Sequence, residues 1–173
     1  GATGLGGDSL AAFHLDGAAG TLAFVESYFD GVGGIDGLNG ATDVLVSPDG
    51  KNVYVAGQVD DAVVVFTRQD NPLPPATFGK LTLLEMQQSP GVAGLDEPVA
   101  LAMDAAGDTL YVAAANSNAI TVFDRNPATG ALTFVETLVD GVGSVEGLAG
   151  ASSVAVSFDG EWVYATGEND DAV

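Results

Sequence analysis

The residues of this chain best suited to chemistry lie in two acidic, glycine-rich stretches. Asp30 to Gly40 (DGVGGIDGLNG) holds two carboxylates, Asp30 and Asp36, among five glycines. Asp140 to Gly150 (DGVGSVEGLAG) repeats the pattern with Asp140 and Glu146. A shorter stretch, Pro90 to Asp96, aligns Asp96 with Asp36. Hard cations take several carboxylate and carbonyl oxygens at about 2.3–2.6 Å, and glycine lets backbone carbonyls turn inward. Calcium is thus the candidate ion, with Asp30, Asp36, Asp96, Asp140 and Glu146 as candidate ligands. The spacing matches neither the EF-hand loop nor the glycine- and aspartate-rich nonapeptide. A solvated acidic turn therefore stays open as the alternative.

Other chemistry is thinly represented. The single histidine, His14, aligns with Thr67 and Asp124 in the repeats described below. A general base needs partners within reach, and the sequence assigns His14 none, so a strand-surface role is expected. Ser47, Ser153 and Ser157 have no histidine pattern beside them, so no nucleophilic triad is indicated and the catalytic residues stay unassigned. Twenty-four acidic residues against Lys51, Arg68, Lys80 and Arg125 give a formal charge of −20. That field repels nucleic acid and anionic membrane surfaces and suits a cation-rich setting or a cationic ligand. Without cysteine there are no disulfides and no thiolate metal sites. The sequence holds no apolar run near the ~20 residues of a membrane helix and no recognisable signal peptide.

The elements that position the acidic stretches are repeats. Gly20 to Val63 returns as Gly130 to Val173, shifted by 110 residues without a gap and identical at 25 of 44 positions. A more diverged copy runs from Gly79 to about Asn118. Each unit contains four short β-rich runs joined by turns such as Pro48-Asp49-Gly50, where proline presets φ and glycine accepts a positive one. No window carries a sustained 3.6-residue apolar period, so no helix is expected. Runs such as Ala62-Val63-Val64-Val65-Phe66 are apolar at successive positions. Successive strand side chains point to opposite faces, so both faces of each small sheet must be covered. Stacking four-stranded sheets around an axis does this, which makes the expected fold an all-β propeller. The tyrosines Tyr54, Tyr111 and Tyr164, spaced 57 and 53 residues apart, mark one strand per unit. With Phe13, Phe66 and Phe123 they are expected to be buried between blades.

Gly107 to Glu136 (GDTLYVAAANSNAITVFDRNPATGALTFVE) closely resembles the YVTN-type repeat of lactonase-like β-propellers. SPDGKNVYVAG and FDGEWVYATG resemble the same signature. That resemblance implies a 6-phosphogluconolactonase-like propeller fold, in a group that includes lactonases, muconate-cyclising enzymes and secreted surface propellers. Such enzymes use histidine, arginine or acidic residues around the axis, but no motif here matches theirs residue by residue.

The units lay out as one propeller segment over residues 1–173. Residues 1–28 supply the third and fourth strands of a split blade, 41–87 and 98–138 form two blades, and 151–173 begin another. About three blade equivalents cannot close a ring that needs four to eight. The missing blades are expected from the same longer chain or from a head-to-tail homo-oligomer. Ala2–Leu10 and Ala165–Val173 occupy the same repeat positions, which favours the longer chain. The functional expectation is a binding or structural module of an extracellular or periplasmic protein, with an acidic rim for cations and no assigned carbohydrate or other ligand. The alternative is a segment of a lactonase-like enzyme whose catalytic residues lie outside it. Strand parity places Asp30, Asp36, Asp60, Asp61, Asp96, Asp140, Glu146, Asp170 and Asp171 on one rim and all four cations at or near the other. The outer-strand acids Glu26, Glu85 and Glu136 are expected to be structural, keeping exposed edges from pairing.

Overall fold

A computed structural model describes residues 8–69 and 79–170; Asp171 and the repeat positions 2–7 lie outside them. Among the described residues it contains twelve strands and no helix. In chain order they are β1 (Ser9–Asp16), β2 (Thr21–Phe29), β3 (Ala41–Val46), β4 (Asn52–Gly57), β5 (Ala62–Arg68), β6 (Leu81–Gln88), β7 (Pro98–Met103), β8 (Thr109–Ala114), β9 (Ala119–Arg125), β10 (Leu132–Val139), β11 (Ala151–Val156) and β12 (Val163–Gly167). All pairings are antiparallel between sequence neighbours. Strands β3–β6 form one complete blade and β7–β10 the next. Strands β1–β2 and β11–β12 form two-stranded sheets at either end. The first strands β3, β7 and β11 lie side by side and line the propeller axis.

The local geometry repeats as closely as the sequence. A register shift falls near the start of each first strand, at Ala41/Asp43, Pro98/Ala100 and Ala151/Ser153. Such bulges increase strand twist, and repeating them gives each blade the same twist. The turn after β3 closes with Gly50 at φ 70° and its N–H bonded to the Ser47 carbonyl.

The core follows from the two-sided apolar strands. Val63 and Val65 of β5 pack with Tyr54 against Leu101, Leu110, Val112 and Phe123 of the next blade. Val64 and Phe66, on the opposite face of the same strand, pack with Val53 and Val55 against Tyr28 of the preceding sheet. A third cluster joins Ala102, Ala113 and Ile120 to Leu148, Ala151 and Val154.

The expected burial of the repeated aromatics holds for Tyr54, Phe66 and Phe123, all fully buried. It fails for Phe13 and Tyr164, which are 53% and 62% exposed, and Tyr111 is only half-buried. The reason is positional. Phe13 and Tyr164 lie on the two terminal half-blades, where no neighbouring blade among the described residues covers them. Phe66→Ala is therefore expected to lower unfolding free energy by about 3–5 kcal/mol, whereas Phe13→Ala loses much less because it is already half in water. Denaturant titration of both variants checks this.

Candidate functional site

The meander order puts the turns at residues 58–61 and 115–118 on the same rim as the loops that lead into β3, β7 and β11. The turns at 47–51 and 104–108 lie on the opposite rim. On the first of these rims the acidic residues bind backbone. Within the loop at 30–40, Asp30 accepts the Leu38 N–H at 3.0 Å, Asp60 the Asn39 N–H at 2.9 Å and Asp8 the Gly40 N–H at 3.0 Å. The loop at 140–150 repeats this: Asp140 accepts from Leu148, Asp170 from Ala149 and Asn118 from Gly150. Three successive N–H groups that would otherwise point unpaired into a tight loop are thus satisfied by side chains from three segments.

Register corrects one alignment. Ala41, Pro98 and Ala151 are equivalent, each pairing with the last residue of its neighbouring strand. Gly37, Gly94 and Gly147 are equivalent too, with φ of 92°, 79° and 91°. Asp96 therefore stands at the position of Asn39 and Ala149, and Ala93 at that of Asp36 and Glu146. The middle loop is two residues shorter, and sequence alignment placed the gap too late. Asp96 accepts a hydrogen bond from the Asn116 side chain at 2.6 Å.

Of the five acids read as possible ligands, only Asp30 and Asp36 fall in one cluster among the described residues. Asp60 completes it, with one carboxylate oxygen from each of the three lying within 4.8 Å of the others. Burial raises the Asp60 carboxyl above its ordinary value, partly offset by the Asn39 N–H, and the neighbouring Asp30 and Asp36 charges raise it further. Each of the three also accepts one backbone N–H, from Leu38, Gly37 or Asn39. The donor set, one carboxylate oxygen from each of three groups, suits a hard cation.

Nearer the axis, the same rim opens a cleft of about 400 Å³. Glu97 and Gly150 reach it from the loops entering β7 and β11, and Val99 and Ser152 from those strands. Gln58, Asn116, Glu168 and Asn169 come from the turns between second and third strands. Two carboxylates and three amides thus converge beside the axis. Sequence reasoning missed this group. The available signal was that Gln58, Ala115 and Glu168 occupy one repeat position, just beyond the second strand, but their types differ and no motif announces them.

The other rim carries a different feature. Arg125, at the end of β9, is 4% exposed. Its Nε donates to the Tyr54 hydroxyl at 2.8 Å, Nη1 to the Gly107 carbonyl at 2.8 Å, and Nη2 to Asn52 Oδ1 at 2.8 Å and to both Asp49 oxygens at 3.0 and 3.1 Å. Tyr54 in turn donates to the Gly130 carbonyl at 2.8 Å. Arginine's fixed fork makes such multidentate contacts possible. This is a latch between two blades rather than a reaction site. The outer-strand acids also join blades: Glu85 accepts the Leu132 N–H at 2.7 Å and Glu26 meets Lys80 at 3.2 Å.

The fold is a propeller, and comparison with known proteins narrows the class. Residues 7–146 match the model of the lactonase family, described as a seven-bladed β-propeller. The chain belongs to that family. Among solved structures it is similar to a periplasmic gluconolactonase of Pseudomonas aeruginosa, at 26% identity and TM-score 0.69 over 96% of this chain and 43% of that one. It is also similar to a candidate 6-phosphogluconolactonase of Bacteroides fragilis, at 27% identity and TM-score 0.58 over 78% of this chain and 34% of that one. A candidate 6-phosphogluconolactonase of Bacteroides uniformis shares the fold at 17% identity and TM-score 0.71. The chain thus spans less than half the length of these structures. No curated protein matches it.

The latch yields a pH prediction. The Ser47 hydroxyl foremost, then the Lys51 N–H and Arg125, hold the Asp49 carboxyl well below its ordinary value of 3.8. A depressed carboxyl stabilises the fold fully above its unfolded value and loses that contribution as pH falls through the folded one. Asp49→Asn should therefore lower stability at neutral pH and flatten the decline below pH 3.8, read from thermal melts across acid pH. Arg125→Ala, which strips the buried Asn52 and Gly107 oxygens and the Tyr54 hydroxyl of their shared donor, should cost about 1–3 kcal/mol.

Proposed function

We propose that this chain is a segment of a lactonase-class propeller enzyme acting on a sugar lactone, and that the axial rim cleft is its share of the substrate site. Family membership and the two solved relatives above 25% identity support this reading over a purely structural module. The observation that carries it is the convergence of Glu97, Glu168, Gln58, Asn116 and Asn169 on one axial cleft. Lactone opening needs a base to activate water and donors to orient a polyhydroxylated ring. Among the described residues Glu97 and Glu168 are the carboxylates lining the cleft, so the base role falls to them, while the three amides can donate to and accept from sugar hydroxyls. Among the described residues no lysine or arginine lines the cleft, and the chain's net charge is −20. Both features disfavour a phosphorylated substrate, so an unphosphorylated aldonolactone is the better fit. A periplasmic or extracellular location accords with this substrate class.

Acid release from glucono-1,5-lactone at constant pH tests the proposal. A rate above spontaneous hydrolysis is expected, falling about 10²-fold or more in Glu97→Gln or Glu168→Gln. Preference for the 6-phosphorylated lactone would contradict the substrate assignment. Full activity in both variants would move the base elsewhere.

A second reading, a cation held by Asp30, Asp36 and Asp60, is favoured by their convergence. Asp60→Asn keeps an acceptor for the Asn39 N–H while removing one charge from the trio. Calcium should raise the melting temperature of the unsubstituted protein and leave the variant unmoved. An equal shift in both would place the ion elsewhere.

A further inference from the structure

The three blade entries share one backbone path but not one residue type. Gly40 and Gly150 bend the chain at φ 66° and 63°, and Glu97 does so at 57°. Glycine reaches this left-handed region without steric cost, and aspartate and asparagine tolerate it, but a longer side chain does not. Among the described residues the other non-glycine positions with positive φ are Asp61 and Asn118, both of the tolerant types. Glu97 also precedes Pro98, and proline pushes the residue before it towards extended backbone. The middle entry therefore carries a glutamate where the local conformation calls for glycine.

The surroundings are rebuilt to admit that side chain. At Gly40 and Gly150 the turn residues Val59 and Asn169 stand in the place a Cβ would take. Asn116 holds the same repeat position in the middle blade, beside a residue that has a Cβ, and its amide donates to Asp96 at 2.6 Å. The backbone bonds shift as well. Val59 donates its N–H to the Asn39 carbonyl and Asn169 to that of Ala149, whereas the Asp96 carbonyl accepts from Ser117, one residue further along. Glu97 is held on both sides of its α-carbon: its N–H donates to Asp61 Oδ1 at 2.9 Å, and its carbonyl accepts the Ala115 N–H at 2.8 Å. The side chain so placed lines the axial cleft. Glu168, the other carboxylate named there, comes from a turn position without positive φ.

Strain of this kind persists only where the surrounding structure holds it, and it gathers at sites of function. Glu97 is exposed, so burial of its side chain does not offset the strain. We propose that this entry aims Glu97 at the substrate: Glu97, rather than Glu168, is the catalytic base, and Asp61 is its positioning residue, acting through the Glu97 N–H. The assignment rests on the lactonase reading above and decides between the two carboxylates left open there. Glu97 takes one proton from water as the water oxygen bonds the lactone carbonyl carbon. That proton passes to the ring oxygen as the ring C–O bond breaks. Glu97 is then a carboxylate again, and the hydroxy acid formed ionises to release the acid that the assay reads.

Kinetics on glucono-1,5-lactone together with thermal melts test this. Glu97→Gln should lower kcat about 10²-fold or more, and Glu168→Gln less than about tenfold, mostly through KM. Glu97→Gly, which restores the residue type of the other two entries, should be as inactive as Glu97→Gln yet melt no lower than the unsubstituted protein. Asp61→Gly keeps the positive φ and removes the acceptor, so it should lower kcat about tenfold with KM within about twofold. Asp61→Asn should recover most of that loss, because Asn118 at the equivalent position accepts the Gly150 N–H at 2.7 Å. A lower melting temperature in Glu97→Gly would make the side chain a structural one and overturn the proposal. So would acid release in Glu97→Gln above about a tenth of the unsubstituted rate. Both outcomes leave the lactonase reading standing. Release no faster than spontaneous hydrolysis in the unsubstituted protein overturns that reading, and this assignment with it.

Discussion

A small sheet that is apolar on both faces cannot stand alone in water, and every larger feature of this protein follows from that constraint. Strand β5 shows it most directly. Val63 and Val65 enter one core cluster while Val64 and Phe66 enter another on the opposite side of the same sheet. The core is therefore not a single interior but a series of interfaces, each shared by two blades. Removing a neighbour does not merely lower stability; it exposes a prepared apolar face, as Phe13 and Tyr164 demonstrate at the two ends.

Stacking leaves the rims to do different work. On one rim, carboxylates satisfy backbone N–H groups of the loops that enter each new blade, and charge accumulates where Asp30, Asp36 and Asp60 meet. Burial first, and the neighbouring Asp30 and Asp36 charges after it, raise the Asp60 carboxyl there. On the other rim, Arg125 is drawn out of water and surrounded by acceptors from two blades. Burial alone would weaken its charge, but the Asp49 and Tyr54 contacts outweigh burial and leave it more firmly protonated. The lopsided net charge thus conceals a division between a rim that gathers anions and one that neutralises them.

The fold was legible in the sequence because successive apolar residues and repeated turns are local signals. The strand order followed by parity, which also placed the acids and cations on their respective rims. The candidate site was less legible. Asp30 and Asp36 could be found because they share one loop, but Asp60 joins them from another turn of the fold. Gln58, Glu97 and Glu168 converge only after three blades are stacked. Arg125 read as one of four scattered cations, since nothing local distinguishes a buried arginine from an exposed one. Asp96 was misplaced because a two-residue deletion in a glycine-rich loop has no sequence marker, whereas the positive φ of Gly94 locates it at once.

The hydrogen bonds from Gly40, Glu97 and Gly150 to Asp8, Asp61 and Asn118 connect these three blade entries to the residue just before the third strand of the preceding blade. All three donors have positive φ, between 57° and 66°, so the chain makes the same corner each time. The corner persists although the middle loop is two residues shorter, so the spacing between blades is set downstream of the part of the loop that varies. A rim loop can therefore be lengthened, trimmed or recharged without altering the angular pitch of the ring. That decoupling separates what the rim recognises from how the ring is geared, and it leaves the acidic stretches free to change their ligand while the architecture stays in step.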